Sequence, residues 1–131
     1  VENDLQYSSV EVTKSKFGKE LDSFKKLADD WRVKGVFLIK DEFPKLEFIF
    51  TSPKLIPASV VFCAQIDFTN YDAEPLSIRF INPYTSVFLT RKEIPINFWQ
   101  VNLPQNFVPG TSIAPLDLLQ GRPDDIPFIC I

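Results

Sequence analysis

Apolar residues recur at spacings of three and four early in the chain. Phe17, Leu21, Phe24, Leu27 or Ala28, and Trp31 form one set, with Lys19, Glu20, Asp22, Lys25, Lys26 and Asp29 between them. That periodicity predicts an amphipathic helix from about Thr13 to Trp31 with a single apolar stripe. Thr13 or Ser15 supplies a capping hydroxyl. Gly18, about 1 kcal/mol poorer than Ala inside a helix, favours a start beyond it. The residues before Thr13 read as a lead-in arm.

The period then changes to two. Predicted strands run from Lys34 to Lys40, Leu46 to Thr51, Ser59 to Phe68 and Leu76 to Ile81. The third alternates most clearly, with Phe62, Ala64, Ile66 and Phe68 on one face. Residues 41–45, 52–58 and 69–75 each contain proline and read as connections, because proline cannot donate to a strand ladder. Short links between consecutive strands favour an antiparallel meander. The expected fold class is α+β, a helix packed on a four-stranded antiparallel meander.

From Asn82 onward the pattern dissolves. Pro83, Pro95, Pro104, Pro109, Pro115, Pro123 and Pro127 break the chain, leaving short regular pieces at Ser86 to Thr90 and a turn of helix at Pro115 to Gln120. Frequent apolar residues, including Phe98, Trp99, Val101, Leu103, Phe107 and Val108, argue for an extended crossover laid over the domain. Phe98 and Trp99 are either a buried anchor for that segment or an exposed partner patch.

Composition narrows the chemistry. The 131 residues, 45% hydrophobic with 13 phenylalanines, suit one domain with an aromatic core. A net charge of −3 with no basic stripe gives no reason to expect nucleic acid. No run approaches the roughly 20 apolar residues that span a bilayer, so no membrane is expected as a partner. The polar start at Val1 to Asp4 is unlike a signal peptide. Two cysteines, Cys63 and Cys130, read as reduced thiols of a cytoplasmic protein. The complete lack of histidine removes Ser-His-Asp and Cys-His catalysis and histidine-containing zinc sites from this sequence. No metal site or cofactor is expected.

The third strand (Phe62, Ala64, Ile66, Phe68), the following Tyr71 with Pro75 four positions on, and then Ile78 and Phe80 resemble the strand-turn-strand motif of the ubiquitin-conjugating (E2) family. The terminal Ile129-Cys130-Ile131 resembles the Ile-Cys-Leu tripeptide that holds the catalytic cysteine there. Asp72 and Leu76 replace two prolines of the family turn, and the His-Pro-Asn motif is missing. The resemblance is to the divergent bacterial branch associated with ubiquitin-like modifiers. It implies a UBC-like domain over residues 1–131, cut short of the helices that follow the cysteine, with a proline-rich crossover before it.

The resemblance further implies that Cys130 accepts a modifier as a thioester, a transferase reaction with a ubiquitin-like modifier and an E1-like activating enzyme as partners. Asn97, Asn102 or Asn106 is the implied oxyanion donor, and Lys19, Lys25 and Lys26 are implied contacts for the activating enzyme. Asp124 and Asp125 either orient an attacking lysine or form a solvated turn, and Arg122 would favour thiolate if close to Cys130. Cys63, mid-strand between Phe62 and Ala64, reads as core. Two other classes stay open: a non-catalytic E2-variant or RWD-like binding module, and a metal-binding protein with ligands beyond residue 131.

Overall fold

A computed structural model describes residues 7–71, 73–94, 99, 100, 106, 108–110, 116, 117, 119 and 122–130, with the backbone alone at 99, 100, 116, 117 and 130. Helix α1 spans Val10–Lys26 and α2 spans Ala28–Val33. The helix therefore starts earlier than its apolar stripe suggests and runs through Gly18. Thr13 caps nothing. Its fully buried hydroxyl donates to the Ser9 carbonyl and meets the Ser8 hydroxyl, tying down the first turn. The lead-in arm is held by Asn70, whose side-chain oxygen accepts from the Tyr7 and Ser8 amides at 2.7 and 3.1 Å.

Leu27 (φ −108°, ψ 14°) interrupts the helix, its amide donating back to the Phe24 carbonyl. The break leaves Leu27 exposed and turns Ala28 inward. It also stacks Trp31 on Phe24, ring centroids 6.1 Å apart.

The strands are β1 (Val36–Glu42), β2 (Lys45–Thr51), β3 (Val60–Asp67) and β4 (Ser77–Ile81), each antiparallel to the next. The β1–β2 turn is tighter than the expected five residues, with only Phe43 and Pro44 between the strands. β1 also begins later than predicted. Gly35 sits at φ +88° and accepts from the Thr51 amide at 2.7 Å, closing the hairpin before the strand opens.

A four-stranded sheet is one strand short. β7 (Phe128–Cys130) pairs antiparallel with β4, giving the order β1-β2-β3-β4-β7. Between them, β5 (Trp99–Gln100) and β6 (Leu116–Asp117) form a separate two-stranded ladder. The expected helical turn at Pro115 to Gln120 is thus replaced, at Leu116 and Asp117, by strand. The expected regular piece at Ser86 to Thr90 folds back on β4, with Phe88 bridging Ile81 and the Leu89 amide donating to the Phe80 carbonyl.

One sheet face holds the core in two adjoining clusters. Phe17 of α1 meets Phe43 and Phe68 edge-on at 5.3 and 5.2 Å, and Phe24 meets Phe48 at 5.1 Å. Each such aromatic pair adds about 0.5–1.5 kcal/mol beyond its buried area. The second cluster joins Ala64 and Phe80 to Ile94 and Leu119, two residues that lie between β4 and β7 in the chain. No helix among the described residues is long and apolar enough to cross a membrane.

Candidate functional site

The position of Cys130 follows from a chain of local anchors. Glu93 accepts from the Thr90 amide and hydroxyl at 2.7 and 2.8 Å, which fixes the 3-10 turn Arg91–Glu93. The same two hydrogen bonds, backbone first, hold the Glu93 carboxyl below its ordinary range. That turn latches the segment leading to β7. The Arg91 amide donates to the Asp125 carbonyl at 2.9 Å and the Lys92 amide to the Pro123 carbonyl at 3.0 Å, while Lys92 pairs with Asp124. Pro127 is fully buried behind it.

β7 is then set in register, with Arg79 opposite Phe128, Ile78 opposite Ile129 and Ser77 opposite Cys130. Ile129 is half-buried against the Ala64–Phe80 cluster. The cysteine backbone is thus part of a hydrogen-bonded strand beside β4, rather than an untethered loop. Its side chain lies outside the described residues.

The second cysteine differs. Cys63 is 1% exposed, paired in register with Ile49 and Ile81. Burial, and then the nearby Glu47 carboxylate, push its thiol above the ordinary thiol range. A thiolate is the reactive form, so Cys63 is a poor nucleophile.

Asn106 is exposed on a turn, while Asn97 and Asn102 lie outside the described residues. Lys19, Lys25 and Lys26 are exposed on α1, but Lys25 already binds Asp41 of β1 at 2.8 Å. That lysine's hydrogen bond and charge hold the Asp41 carboxyl below its usual range. Asp124 is engaged by Lys92 and Asp125 accepts from the Arg122 amide, so both acids build the turn before β7. Arg122 is exposed on that turn. Phe98 lies outside the described residues, and Trp99 contributes its backbone to β5.

Two features escaped the sequence reading. Glu47, Gln65 and Asp67 lie on the sheet face opposite the helix, where alternation alone predicts solvent, yet all three are buried. Their polar atoms are matched locally. Gln65 donates to Glu47 at 3.1 Å, and Asp67 accepts from the Thr69 amide and hydroxyl. The other feature is a groove of about 200 Å³ between the helices and β1, lined by Phe24, Lys25, Ala28, Arg32 and Val36 to Leu38. Among the described residues, no group of three or more cysteines or carboxylates is gathered to hold a metal ion.

Residues 8–131 match the Y4jH-like family. The chain is also 34% identical, over 137 aligned positions, to uncharacterized protein y4jH of Sinorhizobium fredii, an alignment covering 98% of this chain and 67% of that relative.

Proposed function

This chain belongs to the Y4jH-like family, and we propose that it carries a ubiquitin-like modifier as a thioester on Cys130. The observation behind this reading is the return of the terminal Ile129-Cys130 pair to the sheet as a strand beside β4. It brings the cysteine alongside the strand-turn-strand segment that resembles the conjugating enzymes. The burial of Cys63 adds support, since it leaves thiol chemistry to Cys130.

The reaction asks for few groups. A cysteine thiol of ordinary pKa, about 8.5, is partly ionised near neutral pH. The Cys130 thiolate attacks the carbonyl of the modifier's C-terminal thioester on an E1-like activating enzyme. A new carbon–sulfur bond forms, and the activating enzyme's thiolate leaves and takes a proton. A substrate amine then attacks the Cys130 thioester. An amide forms, the amine gives up a proton, and the Cys130 sulfur departs. Each attack passes through an oxyanion, for which Asn97, Asn102 or Asn106 is the candidate donor. Lys19 and Lys26, exposed on α1, are the candidate contacts for the activating enzyme. Such a carrier would work in a bacterial cytoplasm.

The test is to combine the protein with modifier, activating enzyme and ATP and look for a thiol-sensitive adduct. The adduct should vanish in Cys130→Ala and persist in Cys63→Ala. An adduct that survives Cys130→Ala defeats the assignment.

A second reading, a non-catalytic binding module, is favoured by the groove beside β1. In that case partners bind between α2 and the edge strand, and Cys130→Ala changes nothing measurable.

A further inference from the structure

β1 begins, β2 ends, β3 begins and β4 ends at one edge of the domain, since Val36 pairs with Phe50, Phe50 with Phe62, and Cys63 with Ile81. Three segments therefore lie at the same end: the last residue of α2 with residues 34–35, the connection 52–59, and residues 82–87. Each carries an apolar side chain directed into solvent. Val33 is 79% exposed, Ile56 97% and Tyr84 91%, and Leu55 and Val87 add to them. A scattered exposed apolar residue is ordinary, but three neighbouring connections with apolar tips form a patch.

What else these connections carry bears on the partner. They contain Lys34 and Lys54 and no Asp or Glu, although the chain as a whole is acidic. The nearest acids on α2 are Asp29, bridged to Arg32 at 3.0 Å, and Asp30. Three of the polar side chains of these connections are turned inward to their own backbone. Asn82 accepts from the Tyr84 and Thr85 amides, Thr85 accepts from the Val87 amide, and Ser59 donates to the Pro57 carbonyl. Lys34 lies over the Trp31 ring at 5.0 Å, so cation and aromatic sit together at the margin. The patch thus offers hydrocarbon, a phenol and ammonium groups, with little directional hydrogen bonding.

We propose that this end of the domain docks on an anionic lipid surface, with Ile56, Leu55 and Val33 entering the headgroup boundary and Lys34 and Lys54 meeting acidic headgroups. Surface binding of this kind needs exposed apolar side chains plus cations and no spanning segment. Tyr84 is suited to the same boundary, with an apolar ring and a polar tip. A protein partner would draw on directional polar groups, and Asn82, Thr85 and Ser59 are already committed to their own turns. The proposal is independent of the chemistry assigned to Cys130.

Vesicle co-sedimentation with the full chain tests it. Vesicles of phosphatidylcholine plus phosphatidylserine should retain the protein, and pure phosphatidylcholine should retain it much less. Raising salt from about 0.1 M to about 1 M, which shortens the screening length from about 10 to about 3 Å, should weaken retention. Ile56→Asp, at a solvent-exposed tip, and Lys34→Glu with Lys54→Glu should each reduce it by roughly tenfold or more while circular dichroism stays unchanged. Absence of binding to phosphatidylserine vesicles, or binding that Ile56→Asp leaves intact, overturns the proposal. So does an Ile56-dependent dimer that ignores lipid, which would make the patch a self-association surface.

Discussion

Two glycines should respond oppositely to the same change. At Gly35 an added Cβ would stand 2.3 Å from the Thr51 carbonyl oxygen and 2.8 Å from its hydroxyl oxygen, and the backbone is at φ +88°. A left-handed conformation costs an L-residue about 1–2 kcal/mol. The first of those contacts is with backbone, so relief must move β2. Moving it weakens the bonds from the Thr51 amide and hydroxyl to the Gly35 carbonyl, each worth about 0.5–1.5 kcal/mol. Gly35→Ala should therefore destabilise the domain by about 2–5 kcal/mol, a large share of the 5–15 kcal/mol typical of folded domains. At Gly18, inside α1, an added Cβ meets nothing within 4 Å. Gly18→Ala should stabilise by about 0.5–1 kcal/mol through helix propensity. Urea unfolding followed by circular dichroism measures both, with an unchanged denaturant slope as the sign that only stability moved. A loss under about 1 kcal/mol at Gly35, or any loss at Gly18, would refute the reasoning.

Three further outcomes follow from the same contacts. The raised Cys63 thiol pKa means that the folded state holds that proton more tightly. Its contribution to stability is complete below the ordinary thiol range and is lost as pH rises through the raised folded value; an alkaline stability series should lose this slope in Cys63→Ala. Lys25→Ala should let the Asp41 carboxyl titrate higher, read by NMR. The pair's small stabilisation is present above 3.8 and fades as pH falls through the depressed folded value, and both side chains are exposed enough for global stability to move little. Ile129→Ala should lower stability by about 1–2 kcal/mol, less than a fully buried isoleucine because the residue is half-buried; it should also speed hydrogen exchange at the β4–β7 ladder, and unchanged exchange would show that β7 is not held by Ile129.

The parts of this fold legible in the sequence are those with local periodicity. The alternation of Phe62, Ala64, Ile66 and Phe68 places one face of β3, and the Phe17-Leu21-Phe24 stripe places α1 on it. Features that depend on distant partners were hidden. The start of α1 is set by partly buried hydrogen bonds among Ser8, Ser9 and Thr13, which apolar spacing cannot register. β7 is three residues long and follows two prolines, too short a run for alternation to mark as a strand. Burial of Glu47, Gln65 and Asp67 depends on what covers the second sheet face, and alternation specifies one face only. Cys130 was legible as a residue. Its neighbours became visible only with the β4–β7 register, because Ser77 and Cys130 lie far apart in the chain.

The reading of Cys130 as the acyl-accepting thiol is tested most directly by competition between the two cysteines. Limiting iodoacetamide is added to the folded protein, and the modified residue is mapped by mass spectrometry over time. Rapid alkylation at Cys130, with Cys63 protected until urea unfolds the domain, is the expected result. Protection of Cys130 equal to that of Cys63 in the folded protein would contradict the assignment.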